Sequence, residues 1–250
     1  MNNFKLQFPL IVAGILAFTS CKKQEQERLQ SKATQETSVA PSLMLTYTMS
    51  NWMGSLPDAT NVAQLSIPGT HDSGARTEPV GGTAKCQNLS IADQLTAGVR
   101  YLDIRCRHIG DAFAIHHGSI YQNLNFNDVL NACIGFLNSN PTETIIMSVK
   151  EEYDPTNNTR SFEQTFDSYV NQNPSKWDLG DGVPNLGAVR GKIKLLRRFG
   201  AGSTKGIDAT NWADNTTFSI NNSAANLKIQ DYYNVSDVNT KWSNIETLLN

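Results

Sequence analysis

Short apolar segments that each run into a polar cluster recur along this chain, and they constrain its fold more than any other feature. Ala63 to Ile67 leads to Gly69-Thr70-His71-Asp72-Ser73, and Val99 to Ile104 carries Asp103-Ile104-Arg105. Ala112 to His116 ends in His116-His117-Gly118, and Thr144 to Val149 runs into Lys150-Glu151-Glu152. Ile193 to Leu196 runs into Arg197-Arg198, and the weaker Leu227 to Gln230 into Asp231-Tyr232-Tyr233. Most of these segments are apolar on both faces, as strands buried in a parallel sheet are. Helical periods lie between them: Ile91 to Gly98, Asn125 to Asn138 and Ser161 to Val170. In the second, Phe126, Val129, Leu130, Cys133, Ile134 and Leu137 follow a 3.6-residue repeat, with Asn125 as N-cap and Pro141 just beyond the end. Strands alternating with helices predict an α/β fold, a (β/α) barrel, whose strand ends converge on one mouth. Only 18% of the residues are charged, so a charged cluster after nearly every strand points to a site rather than to a solvated surface.

Composition removes several classes. Lys and Arg number 21 against 23 Asp and Glu, a net charge of −2, which lacks the basic stripe of a nucleic-acid binder. It also gives no strong attraction to anionic lipid. The N-terminus supplies another route to a membrane. Lys5 precedes an apolar run from Phe8 to Phe18, too short for the roughly 20 residues of a spanning helix, so residues 1–20 read as a signal peptide. Phe18-Thr19-Ser20-Cys21 resembles a bacterial lipobox, in which the cysteine is acylated after cleavage. Residues 21–45 then read as the lipidated Cys21 and a flexible polar tether, and residues 46–250 as the folded domain. The expected location is on the exported side of a membrane, periplasmic or surface-exposed, or secreted if Cys21 is incidental. Cys86, Cys106 and Cys133 have no metal-binding spacing and are expected as buried thiols, with one disulfide as the alternative.

The residue types in the clusters suit phosphodiester cleavage by acid–base chemistry. His71 and one histidine of the His116-His117 pair can act as base and acid near neutral pH. Strand alternation puts one of that pair into the mouth, with His117 chosen and His116 left structural. Asp103 and Arg105 share a face, and a planar guanidinium fork there fits a phosphate. Asp72 can orient an imidazole or the arginine. Lys150, Arg198 and Asp231 offer donors and an acceptor for a polyol. Glu152 shares parity with Lys150 and faces the site, whereas Arg197 faces away. His108 is expected in a loop, and the four tryptophans in packing or loop positions. No motif sets a serine or cysteine as nucleophile.

The stretch from Asn51 to Ala75 resembles the start of the catalytic domain in bacterial phosphatidylinositol-specific phospholipases C. So do Asp103-Ile104-Arg105, Ile115-His116-His117-Gly118, the run from Asn140 to Lys150, Arg190-Gly191-Lys192-Ile193 and Ile229-Gln230-Asp231-Tyr232-Tyr233. The resemblance covers roughly Asn51 to Val235. It implies a distorted TIM-type barrel working as a monomer without metal or cofactor. His71 is then the base for the inositol 2-hydroxyl, and His117, supported by Asp72, the acid for the diacylglycerol oxygen. Arg105 binds phosphate with Asp103 beside it, and Lys150, Arg198, Asp231 and Tyr233, by stacking under the ring, are the expected inositol contacts, to which strand parity adds Glu152. The products implied are inositol 1,2-cyclic phosphate and diacylglycerol. The implied partners are phosphatidylinositol or a related glycolipid and, through Cys21, a membrane.

The chain departs from that pattern in two ways. The family places a further aspartate, partner of the base histidine, and its last barrel strands beyond the Asp231 region, whereas this chain stops at Asn250. Either the C-terminal part is missing or the barrel closes differently, and no orienting partner for His71 can be named. No tryptophan lies between His71 and Asp103 to grip a bilayer. Two other functions fit the same residues less well: a non-catalytic polyol- or glycan-binding lipoprotein, and a metal-dependent glycerophosphodiester hydrolase. The second would need more carboxylates where Arg105 stands.

Overall fold

One long strand organises the sheet. In the computed structural model, which describes residues 48–249, β2 (Tyr101–Ile109) receives partners along both edges. The two-residue β1 (Gly69–Thr70) runs parallel to its first half, at Tyr101 and Leu102. On the same edge, β3 (Ala112–His117) pairs antiparallel with its second half, from Cys106 to Ile109. The opposite edge holds the parallel β5 (Ile145–Glu151), followed by the parallel β7 (Ile193–Arg198). β4 (Ile120–Asn125) extends the sheet beyond β3, and the short β6 (Trp177–Asp178) and β8 (Ile207–Asp208) both pair with β7. A separate antiparallel ribbon joins β9 (Thr217–Asn221) to β10 (Asn226–Gln230). The expected signal peptide, Cys21 and tether lie outside the described residues.

The helices form where capping and periodicity agree. α1 (Ile91–Thr96) is capped by Ser90, whose side chain accepts from Asp93 N–H. α2 (Phe126–Ser139) starts with Asn125 N–H donating to Asp128 Oδ2 at 2.9 Å, and buries Phe126, Val129, Leu130, Cys133 and Leu137 along one face. α3 (Phe162–Val170) opens with a reciprocal pair between Ser161 and Gln164. Its Phe166 and Tyr169 pack with Phe126, Phe113 and Trp177 in the main core. The single-turn α4 (Leu186–Val189) precedes β7, and α5 (Val238–Leu249) follows β10.

Several expectations require correction. The segment Ala63 to Ile67 is not a strand. Val62–Gln64 forms a 3-10 turn, because Asn61 Oδ1 accepts from Ala63 N–H at 2.9 Å and Val62 O accepts from Leu65 N–H, using the groups a ladder would need. Pairing starts only after Pro68. β3 is antiparallel, not parallel. Gly110 and Asp111, both with positive φ, link it to β2 in two residues, and a parallel return needs a dozen or more. His108 is no loop residue: β2 continues through it, and its Nε2 lies 2.8 Å from Thr165 Oγ1 between Phe113 and Phe162. β10 does not join the barrel wall. It pairs only with β9, and the ribbon packs Ile220 against Leu196, Ile207 and Ala209. Cys106 and Cys133 are buried thiols, but Cys86 is exposed, and none of the three is in a disulfide.

The base of the sheet is held by a buried ion pair. Arg100, just before β2, and Glu143, just before β5, are both fully buried and 2.9 Å apart. Arg100 also donates to the carbonyls of Leu95, Val99 and Ser50, and Glu143 accepts from the Met53 and Gly54 N–H groups. The pair thereby ties the turn Met49–Ser55 to the strand starts. Glu143→Ala strands a guanidinium in the core and should cost about 3–5 kcal/mol. Urea unfolding should show that loss as a lower midpoint at unchanged slope.

Candidate active site

Strand register places three cations level with one another. Arg105 of β2 pairs with Lys150 of β5, and Lys150 with Arg198 of β7; Lys150 and Arg198 stand at the C-terminal ends of their strands, and Arg105 where the parallel pairing of β2 with β5 ends. Three carboxylates answer them. Asp103 Oδ2 accepts from Arg105 Nε at 3.1 Å, and its Oδ1 lies 3.7 Å from Arg198. Glu152 Oε2 accepts from Lys150 Nζ at 2.8 Å, while its Oε1 accepts from Gly118 N–H and lies 3.9 Å from Arg105. Asp72 Oδ2 lies 3.9 Å from Arg105 Nε.

The turn after β1 wraps over Asp103. Ser73 N–H donates to Asp103 O, Asp103 N–H donates to Ser73 Oγ, and Asp72 N–H donates to Asp103 Oδ2. This holds Asp72 in the left-handed region at φ 41°. Gly74 must lack a side chain, since a Cβ there would stand 2.6 Å from Ile115 Cγ2. The same turn sets His71 at the mouth, with Nδ1 3.6 Å from Asp103 Oδ2 and 3.3 Å from Arg105 Nη2. Asp103 is therefore the carboxylate in reach of His71, which the sequence did not reveal. His117 ends β3, with Nε2 3.9 Å from Asp72 Oδ2.

These groups surround a cleft of about 650 Å³, the size of a small-ligand pocket. His71, Asp103, Arg105, His117, Lys150, Arg198, Asp231 and Tyr233 line it. Asp72 and Glu152 do not: they stand behind the lining and contact it through His117, Arg105 and Lys150. His116 is buried outside the cleft against Tyr121, and Arg197 turns away to Asp208 and backbone carbonyls. Three lining residues escaped the sequence reading: Tyr101, Trp212 and Asp214. Trp212 carries the Arg198 guanidinium on its ring at 4.0 Å and donates to Asp231 Oδ2 at 2.8 Å. Tyr233 donates to Asp214 Oδ1 at 2.9 Å on the rim. Tyr101 precedes the Asp103 cluster with matching parity, a usable signal. Trp212 and Asp214 follow β8 in a segment with no periodicity to flag them.

Burial sets the proton affinities. Burial, with the Arg105 charge adding to it, holds His71 below the usual imidazole value despite the opposing pull of Asp103. Burial also pushes the Tyr101 hydroxyl up to about 12, so it stays a donor. For Arg105, burial opposes ionisation, but Asp103, Asp72 and Glu152 outweigh it and raise its value further. Asp72 is the outlier. It is fully buried, neither of its oxygens has a hydrogen-bond partner, and burial raises it from 3.8 to about 7, against the pull of Arg105.

A family model described as "Phosphatidylinositol-specific phospholipase C, X domain" matches residues 66–199. A Staphylococcus aureus protein named 1-phosphatidylinositol phosphodiesterase is 38% identical over 199 residues, 73% of this chain and 64% of the relative. A Listeria monocytogenes protein of the same name is 37% identical over 209 residues, 79% and 62% of the two chains. The chain thus spans less than two thirds of the length of these relatives. A crystal structure of a S. aureus phosphatidylinositol-specific phospholipase C variant superposes with TM-score 0.73 and 34% identity, over 81% of this chain and 72% of that one. The L. monocytogenes enzyme gives TM-score 0.63 and 32% identity, over 80% and 73%. The mixed sheet with its helices is therefore the α/β fold of those structures, a distorted TIM-type barrel.

Asp72 makes the site's electrostatic cost measurable. Its folded value lies above its unfolded one, so between pH 4 and 7 the folded state holds the extra proton. Stability from this group is full below about pH 4 and falls by up to about 1.4 kcal/mol per pH unit as pH rises to 7. Asp72→Asn tolerates the same positive φ and should stabilise the protein at pH 8 but not at pH 4, as read by urea unfolding at both pH values.

Proposed function

The chain belongs to the phosphatidylinositol-specific phospholipase C X-domain family, and we propose that it cleaves phosphatidylinositol at the glycerol–phosphate bond. The observation that carries this reading is the convergence of His71, Arg105 and His117 on one cleft beside Asp103, with Lys150, Arg198 and Asp231 along its wall. The reaction is an intramolecular transfer: the inositol 2-hydroxyl attacks phosphorus and the glycerol oxygen leaves. The products are inositol 1,2-cyclic phosphate and diacylglycerol. Nucleophile and electrophile share one molecule, so the protein needs to orient them and move protons rather than supply a nucleophile.

His71 takes the proton from the 2-hydroxyl. Its lowered proton affinity keeps the ring neutral near pH 7. Arg105 Nη2–H, 3.3 Å from His71 Nδ1, can donate to it whenever that nitrogen is unprotonated. A phosphate that draws the guanidinium to itself frees Nδ1–H to donate to Asp103, which leaves Nε2 as the base. His117, with Asp72 beside it, gives its proton to the leaving oxygen. Arg105 meets the charge that grows on the non-bridging oxygens, in a bidentate geometry that a lysine cannot reproduce. Lys150, Arg198 and Asp231 offer the inositol hydroxyls donors and an acceptor, and Tyr233 closes the rim. Arg105 occupies the place a divalent ion would take, and its positive charge disfavours one there.

Phosphorus NMR of phosphatidylinositol vesicles incubated with the protein should show a cyclic phosphate. Its absence, with intact fold and lipid, would refute the reading. His71→Ala and His117→Ala should each cost at least ~10²-fold in turnover, and His116→Ala far less. Arg105→Lys should be severely impaired. Turnover should persist in excess chelator; loss restored by calcium would favour a metal-dependent mechanism instead.

The same reading places the domain at a membrane surface, exported and held there by acyl chains on Cys21. Lipobox-like residues before Cys21 and the polar tether after it support this. Among the described residues no helix is long and apolar enough to cross a membrane. Each buried methylene adds about 0.8 kcal/mol, so two or more chains anchor firmly. Cys21→Ala should move the protein from the membrane fraction to the soluble one.

A further inference from the structure

The segment between β1 and α1 brings a cysteine to the edge of the site. Cys86 is exposed, and its backbone N–H donates to Ala75 O at 2.9 Å, which fixes it close to the turn that carries Asp72. An Asp72 oxygen, Cys86 Sγ and a His117 ring nitrogen all lie within 4.8 Å of one another. Asp72 is fully buried, and neither of its oxygens has a hydrogen-bond partner. A carboxylate that has no hydrogen bond, and only the 3.9 Å approach of Arg105 as a charge partner beyond the cluster, thus faces a thiol and an imidazole, a donor set that suits a borderline-soft cation. Cys86 does not line the cleft, so nothing in the proposed reaction uses it.

We propose that Asp72, Cys86 and His117 form an inhibitory site for a thiophilic divalent cation of the zinc type. The thiol releases its proton to water as the sulfur–metal bond forms. His117 gives a ring-nitrogen lone pair, releasing to water the proton it would otherwise carry there, and Asp72 gives a carboxylate oxygen. Thiolate and carboxylate together balance the two positive charges of the ion, which offsets its repulsion by Arg105, 3.9 Å from Asp72. Tetrahedral zinc, with bonds of roughly 2.0–2.3 Å, sets its ligand atoms about 3.3–3.8 Å apart. The cluster must therefore contract by about 1 Å, which a turn of the Cys86 side chain can supply, since its Sγ is held only by a 3.9 Å contact to Ala84 O. Solvent supplies the fourth ligand. Calcium and magnesium, which need several oxygens, are excluded. A coordinated His117 cannot deliver a proton to the leaving oxygen. That inhibitory consequence rests on the phosphodiesterase reading; the metal site itself does not.

Cobalt(II) titration of the intact protein tests the site without turnover. The expected result is a near-ultraviolet thiolate-to-cobalt charge-transfer absorption that zinc displaces and that Cys86→Ala lacks. The buried Cys106 and Cys133 remain in that variant as internal controls. A missing absorption, or one that survives Cys86→Ala, overturns the site. With phosphatidylinositol vesicles as substrate, saturating zinc should lower wild-type turnover roughly 10²-fold, the scale of a lost proton donor, and chelator should restore it. Cys86→Ala should turn over normally and keep most of that activity in zinc. Equal inhibition of both proteins overturns the inhibitory role. Absence of turnover in zinc-free wild-type protein would instead refute the phosphodiesterase reading and leave the cobalt result to decide the site.

Discussion

Three cations abreast on adjacent parallel strands are the constraint around which this site is built. At the strand spacing of about 4.8 Å, two like charges in an effective dielectric of ~20 repel by roughly 3 kcal/mol. Register sets the backbones of Arg105, Lys150 and Arg198 side by side on adjacent strands, so their charges need answering by carboxylates. Asp103 reaches Arg105 and Arg198, Glu152 reaches Lys150 and Arg105, and the ring of Trp212 covers the free face of Arg198. Asp72 and Glu152 stand behind the lining, so Arg105, Lys150 and Arg198 remain on the cleft wall, beside Asp103, where an anionic phosphodiester can meet them.

Asp103 links that row to the histidines. Its main chain holds the Ser73 turn, one oxygen holds Arg105 and the Asp72 N–H, and the same oxygen lies within reach of His71. A side chain with so many partners cannot move independently, which suits a group that must keep an imidazole oriented. Asp72 is placed with equal firmness by its backbone, yet its carboxylate has no hydrogen-bond partner. Its raised proton affinity is the direct result. The fold tolerates this cost because the other end of the sheet is well satisfied: the Arg100–Glu143 pair accepts or donates through most of its polar atoms. Stability is concentrated at the strand starts and chemistry at the strand ends, as expected of a barrel-type sheet.

How much was legible in the sequence depended on how local each signal was. α2, β5 and β7 were readable because their apolar patterns are long and unbroken. β4 was missed because its exposed edge is polar and even its buried Gln122 is polar. β9 and β10 form a half-exposed ribbon with a weak pattern: the strand expected at Leu227–Gln230 is present but pairs outside the main sheet, and Asp231 still reaches the cleft. The Gly110-Asp111 link marked a hairpin that the apolar pattern of Ala112 to His116 did not.

The residue types of the cluster and their parity were determined by the sequence. Asp103 and Arg105 share a face, and His117 rather than His116 turns to the cleft, because side chains on a strand alternate. Those are relations over two or three residues. The tertiary structure alone decided that Asp103 lies beside His71, that Trp212 joins Arg198 to Asp231, and that Cys86 stands next to Asp72 and His117. Each of these meetings joins distant segments whose approach is fixed by strand register and loop path, and neither quantity is carried by any local pattern of residues.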